Sequence, residues 1–275
     1  MKKRSFKRPP RPDSKKRTLA NRKRRQKTFL GPQKKFDQPD QLIRLNRYIA
    51  NAGVCSRREA DKLIEAGEIK VNSKIINSLG YKVKSTDKVT YKRKTLRREK
   101  LVYVLLNKPK DFITTTDDPE NRRTVMQLVA KACDERIYPV GRLDRNTTGL
   151  LLLTNDGAMT KKLSHPSHKV KKLYQVELDK PITRNDFHDI VDGVTLEDGL
   201  VQVDDIAVVS KDAQIVGLEL HIGRNRVVRR LFEKLGYEVV KLDRVMYAGL
   251  TKKDLSRGKW RHLTEKEVSR LRSQK

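Results

Sequence analysis

Pro139-Val-Gly-Arg-Leu-Asp144-Arg-Asn-Thr-Thr-Gly149-Leu-Leu-Leu-Leu-Thr154 sets a polar, glycine-punctuated loop directly before an unbroken apolar run. Four consecutive leucines with no alternation read as a strand buried on both faces. The same reading applies to Leu101-Val-Tyr-Val-Leu-Leu106, closed by Asn107-Lys108-Pro109. Tyr174 to Leu178 alternates, as a half-buried strand does, and further strands are expected near 201–209, 215–221 and 239–242. Helices are expected over Val125 to Ala132, from the Asn155-Asp156-Gly157 turn to Ser164, over Thr183 to Val191, and over 226–235. Strands outnumber helices and do not alternate with them regularly. The expected fold class is therefore α+β, with a mixed or largely antiparallel sheet rather than a doubly wound one.

Outward from this segment the chain divides into further parts. Residues 101–270 form the large domain, and 97–100 (Arg-Arg-Glu-Lys) form a polar linker. Residues 42–96 read as a small α/β module. Leu45, Tyr48, Ile49 and Ala52 recur at helical spacing, with Gly53 where a C-terminal cap belongs. Ser56-Arg57-Arg58-Glu59 has the pattern of a capping box opening a second helix, which Gly67 ends. The strand Ile69-Lys70-Val71 follows, and Val83, Val89 and Tyr91 read as one returning strand. Arg57 and Arg58 stand in the first turn of a helix, where free N–H groups and the dipole already favour an anion. Arg44, Arg47 and Lys62 add charge nearby. The plain alternative is a solvated basic face.

The 275 residues carry a formal charge of +30 and a pI near 10.2, the electrostatic footprint of a polyanion partner. Within the first 41 residues, positions 1–36 hold 16 Lys or Arg against one acid, Asp13, and are expected to form a disordered arm adding salt-sensitive phosphate affinity. No apolar run reaches the roughly 20 residues of a membrane span, and no signal peptide is legible. Two cysteines without CxxC spacing, Cys55 and Cys133, and five histidines without paired ligand spacing speak against a disulfide framework or a metal site. No glycine-rich nucleotide loop is present, so no cofactor is expected. A cytoplasmic location is.

Asp144, between Arg142 and Arg145, is the sharpest candidate for chemistry. Neighbouring cations favour its carboxylate form, and a loop at the end of a rigid strand is where catalytic groups tend to sit. From the charge pattern alone, a surface ion pair of Asp144 with either arginine is the better-favoured reading.

The module at 42–96 resembles the S4-type RNA-binding domain. The resemblance rests on Arg44-Leu-Asn-Arg47-Tyr-Ile49, Gly53 to Glu59, Leu63-Ile64 and Gly67 to Asn72, with Ser73 where the family usually has glycine. The string from Gly141 to Gly157 resembles the catalytic motif of ribosomal RNA pseudouridine synthases of the RsuA/RluB type. Leu106 to Pro109 with Thr114-Thr115, Lys172 to Val176, Gly223 to Leu231 and Gly258 to Leu263 match the same family in the same order.

The resemblance implies Asp144 as the catalytic aspartate, Tyr174 as the active-site tyrosine and Arg229 as the basic residue paired with Asp144. Val227 stands where the family often has glutamine. In a helix over 226–235, Val228, Leu231, Phe232 and Leu235 share one face, while Arg226, Arg229 and Arg230 share roughly the other, facing a site or RNA phosphates. Arg142, Arg145, Arg226 and Arg230 join the RNA-binding candidates. The implied activity is isomerisation of one uridine, in large-subunit 23S rRNA, by a monomer binding a structured stem-loop. A non-catalytic RNA-binding assembly factor on the same scaffold is the alternative.

Overall fold

The computed structural model describes residues 42–274, and all of them fall in one compact unit. The basic arm expected over 1–41 lies outside the described residues.

The N-terminal module begins with β1 (Ile43–Arg44) and α1 (Leu45–Asn51), which buries Leu45, Tyr48 and Ile49. Gly53, at φ +74°, follows its C-terminal end. Helix α2 (Arg57–Glu65) opens on the expected capping box. Glu59 N–H donates to Ser56 Oγ at 3.2 Å, and Ser56 N–H donates to the Glu59 carboxylate at 2.7 Å. Strands β2 (Ile69–Val71) and β3 (Lys74–Ile75) form a hairpin whose turn residues, Asn72 and Ser73, both have positive φ. Ser73 thus adopts the left-handed backbone its glycine counterpart would take, at a cost of about 1–2 kcal/mol. The Asn72 side chain helps hold the turn by donating to Asp87 and accepting from Lys88 N–H.

The single returning strand does not form. β4 (Lys82–Val83) pairs with β1, whereas β5 (Val89–Tyr91) pairs with β2 and with β6 (Lys94–Thr95). Asp87 breaks the run by accepting the Lys84 N–H and turning the chain. Leu45, Ile49, Ile64, Ile69, Val83 and Val89 form this module's core.

The larger part is built on β7 (Tyr103–Lys108), α3 (Val125–Val129), β8 (Tyr138–Pro139), β9 (Thr147–Thr154), α4 (Gly157–Ser164), β10 (Lys172–Leu178), α5 (Arg184–Asp192), β11 (Val194–Leu196), β12 (Gly199–Val201), β13 (Asp205–Val208), β14 (Ile215–Leu220), α6 (Val227–Lys234), β15 (Val239–Tyr247), β16 (Leu250–Thr251), β17 (Trp260–His262) and α7 (Glu265–Ser273). Nine strands make one sheet in the order β13-β14-β10-β15-β9-β7-β17, with β8 on β9 and β16 on β15. Every pairing in it is antiparallel except β9 with β15. The fold is the expected α+β arrangement with a mixed sheet.

The leucines of β9 pack in two directions. Leu150 and Leu152 join a core with α4 and α7, while Leu151 and Leu153 join one with α3. Helices α5 and α6 cover a third cluster on β10, β14 and β15.

Several boundaries differ from the sequence reading; β7, for one, runs Tyr103–Lys108 and takes in the Asn107-Lys108 pair expected to close it. Helix α3 ends at Val129, short of Ala132. The run at 201–209 divides into β12, which pairs with β11, and β13, which pairs with β14. β15 continues five residues past Leu242, through Asp243 and Arg244, because both polar side chains find partners inside the protein.

Candidate active site

The loop before β9 presents Asp144, half-buried, between a buried Leu143 and a buried Thr147. Two side chains from elsewhere in the chain hold this loop by its backbone. Lys108, at the end of β7, has no exposed surface. Its ammonium donates to the carbonyl oxygens of Asp144 (3.0 Å), Arg145 (3.2 Å), Thr147 (2.8 Å) and Pro109 (3.1 Å). Burial lowers the Lys108 pKa to about 8, against the opposing charges of Asp144 and Asp111. Thr114 Oγ1 donates to the Leu143 carbonyl at 2.8 Å and accepts the Leu143 N–H at 3.3 Å. The residue before Asp144 is thus tied on both its polar groups.

The expected ion pair of Asp144 with a sequence neighbour is not formed. Arg145 turns to Asp111 at 3.4 Å, and Arg142 is exposed. Among the described residues, no cation lies within ion-pair distance of Asp144. Arg229 on α6 nonetheless feels its charge. Burial and then the charge of Arg226 push the Arg229 guanidinium down, and Asp144 opposes them. Arg229 donates to the Val239 carbonyl at 2.7 Å, and its Nε is buried with no partner among the described residues.

Tyr174 stands half-buried on β10 against the core under α6. A single transverse row crosses the sheet through it: Lys108, Gly149, Arg244, Tyr174 and Leu218 face one another on β7, β9, β15, β10 and β14. The carboxylate loop and the tyrosine therefore belong to one end of one sheet. Gly149, at φ +106°, lets β9 approach β15 closely, since a Cβ there would lie 2.3 Å from the Arg244 carbonyl oxygen.

The other cations separate into groups. Arg44, Arg47 and Arg57 line one open concavity of about 270 Å³ with Lys82, which the sequence reading did not single out. Arg58 and Lys62 are exposed on α2 and do not line it. Arg226 pairs with Glu233 at 3.4 Å and Arg230 with Asp198 at 2.8 Å, so acids on the protein partly offset their charge. Lys108 and Thr114 stand in stretches that carry the resemblance but were given no role in the sequence reading, and Arg244 escaped it. The signal for the first was available, as a lysine closing an otherwise apolar buried strand has to be satisfied internally.

Among the described residues, no helix is long and apolar enough to cross a membrane. The sequence profile of the RNA pseudouridylate synthase family matches residues 102–234, and that of the S4 domain matches residues 43–89. The ribosomal large subunit pseudouridine synthase B of Bacillus subtilis is 42% identical over 84% of this chain and 96% of its own length. The dual-specificity RNA pseudouridine synthase RluF of Escherichia coli K12 is 37% identical over 84% of this chain and 78% of its own. A crystal structure of a pseudouridylate synthase superposes with a TM-score of 0.59 at 29% identity, covering 83% of this chain and 99% of that one. With two profiles matching in order and a relative this similar along nearly its whole length, the chain belongs to the RNA pseudouridylate synthase family, in the branch that carries an N-terminal S4 domain.

Proposed function

We propose that this protein isomerises one uridine in a stem-loop of large-subunit ribosomal RNA to pseudouridine, acting as a cytoplasmic monomer, with Asp144 as the catalytic carboxylate. The reaction breaks the N1–C1′ bond and forms a C5–C1′ bond. N1 gains a proton and C5 loses one, so nothing is oxidised and no group is imported. The observation that carries the proposal is the fixed loop of Asp144: Lys108 and Thr114 tie its backbone at Leu143, Asp144, Arg145 and Thr147, on the sheet end where Tyr174 stands. A carboxylate whose supporting shell is locked in this way is preorganised for attack on the nucleoside or for proton removal at C2′.

The base must leave its stack to expose the glycosidic bond, and an unpaired loop uridine is the least costly to extrude. In this reading Tyr174 stacks on the uracil, and the charge of Arg229 bears on Asp144. The cations of the S4 domain hold the RNA backbone, which supplies affinity without sequence information. The large-subunit assignment draws support from the name of the Bacillus subtilis relative.

Substituting Asp144→Asn tests the proposal. Pseudouridine should vanish at one rRNA position while RNA affinity stays within about threefold, a difference below 1 kcal/mol. Retained product with lost binding would refute the assignment and favour the non-catalytic assembly factor.

A further inference from the structure

Arg244 is 3% exposed, and no carboxylate lies within ion-pair distance of it among the described residues. Its acidic neighbour in sequence, Asp243, is already committed to Lys252, Arg257 and the Thr148 hydroxyl. The Arg244 Nε donates to the Leu150 carbonyl at 2.8 Å, and the guanidinium lies 4.5 Å from the centroid of the Tyr247 ring. Its Nη2 is buried with no partner among the described residues. Such a group carries a large desolvation penalty, so a purely structural position would be better served by an apolar side chain of similar volume.

Its position explains what it offers in return. Arg244 lies directly opposite Tyr174 in the β10–β15 ladder, and directly opposite residues place their Cβ atoms about 4.5–5.5 Å apart. The ladder has a register shift between Leu173 and Tyr174, the kind of irregularity that re-aims a side chain beside an active site. On its other side, Arg244 backbone meets Gly149 so closely that no Cβ fits, which fixes its strand against the one leading back to Asp144. The Tyr247 ring beneath the guanidinium and Tyr174 across the ladder form one cluster with Arg244. Lys172, two residues from Tyr174, adds a half-buried cation whose ammonium is held by the Val170 and His221 carbonyls.

We propose that Arg244 is a positioning residue for the isomerisation, setting the Tyr174 ring in place and keeping a fixed positive charge beside it under the nucleotide site. The proposal rests on the assignment of that site to Asp144 and Tyr174. Arg244 acts through Tyr174. The guanidinium is held by the Leu150 carbonyl and the Tyr247 ring, leaving Nη2 to engage the tyrosine end of the cluster once RNA closes over it.

The test uses the full chain and a 23S rRNA transcript labelled with [5-³H]uridine, because isomerisation releases the C5 hydrogen. Arg244→Lys keeps the charge but loses the planar fork that aims Nε at the Leu150 carbonyl and Nη2 in a second fixed direction. It should lower kcat by roughly 10- to 100-fold, the worth of one charged hydrogen bond, with KM for the RNA within about twofold. In ring-¹³C-tyrosine protein, the Tyr174 resonance (identified by its loss in Tyr174→Phe) should move, while that of Tyr48, in the S4 domain core, should not. Arg244→Gln, which retains a donor for Leu150, should show the same pattern.

Wild-type kcat in Arg244→Lys, or a lowered kcat with an unmoved Tyr174 resonance, overturns the proposal. So does unfolding of both variants, which would assign Arg244 to the core alone. Asp144→Asn runs alongside. If it stays active, the site assignment itself fails; if it is inactive while Arg244→Lys is not, only the role of Arg244 fails.

Discussion

The ammonium of Lys108 lies 3.0 Å from the main-chain carbonyl oxygen of Asp144, at the centre of a set of four carbonyls it holds from within the protein. The residue proposed for the chemistry is thus positioned through its backbone by a charge the solvent never meets. Its own side chain is left free for the substrate.

Replacing Lys108 by methionine keeps the volume but leaves the Asp144, Arg145 and Thr147 carbonyls without this donor. Each unsatisfied buried group costs about 1–3 kcal/mol, partly offset by removing a buried charge. Single-turnover assays should show product formation slowed at least tenfold, with RNA affinity unchanged. A wild-type rate would mean the loop holds its shape without the clamp.

Lys108 also has a signature in pH. Burial depresses its folded-state value from 10.5 to about 8, so between those values the unfolded chain binds more protons than the folded one. From this group, stability rises as pH goes from about 8 to 10.5. Denaturant midpoints across that window should show the rise in the wild type and its loss in Lys108→Met.

Gly149→Ala should be far more damaging than Gly141→Ala. At Gly149 the added carbon would meet the Arg244 carbonyl at 2.3 Å and its nitrogen at 2.6 Å, on a backbone at φ +106°. At Gly141, φ is +73° but the space beyond is empty, so the change costs only the left-handed strain, about 1–2 kcal/mol. Thermal melts should place Gly149→Ala roughly 10 °C or more below wild type and Gly141→Ala within about 5 °C. Equal melting points would show that the strands separate at little cost.

Arg57 and Arg58 are neighbours in sequence, but only Arg57 lines the concavity with Lys82. Arg57→Ala or Lys82→Ala should each reduce the salt slope of RNA binding by about 0.7–0.9, one phosphate contact. Arg58→Ala should leave it unchanged, because Arg58 does not line the concavity shared by Arg44, Arg47 and Arg57. A slope that falls equally for Arg58 would move the RNA path onto the outer face of α2.

The C-terminal helix carries an acid-sensitive fastening. Arg261 pairs with Glu267 through two contacts of 2.7 and 2.8 Å, and Glu267 also accepts the Thr264 N–H. These bonds, the Arg261 bond first, lower the Glu267 pKa from 4.5 to about 2. The stability they contribute is complete above pH 4.5 and lost as pH falls towards 2. Melting temperatures recorded from pH 6 to 3 should drop less steeply for Glu267→Gln than for wild type. Parallel curves would remove the pair from the acid response.

Much of this was legible in the chain itself. The capping box at Ser56 and Glu59, the buried leucines of β9, the alternation about Tyr174 and the apolar stripe of Val228, Leu231 and Phe232 are local patterns, set by the two- and 3.6-residue repeats of the backbone. They determined which segments form strands or helices, and ordered motifs pointed to Asp144, Tyr174 and Arg229 as a group.

Only the tertiary structure decided which charges meet. Asp144 does not pair with Arg142 or Arg145. Its loop is held instead by Lys108 and Thr114, and the charge that bears on it from α6 is that of Arg229. Likewise, Arg244 lies two residues beyond the strand expected over 239–242 and becomes the neighbour of Tyr174 in the ladder. The physical reason is range. Backbone periodicity is settled within a few residues, whereas partners for buried charges are settled by whichever strands the sheet brings side by side, and no local pattern records that order.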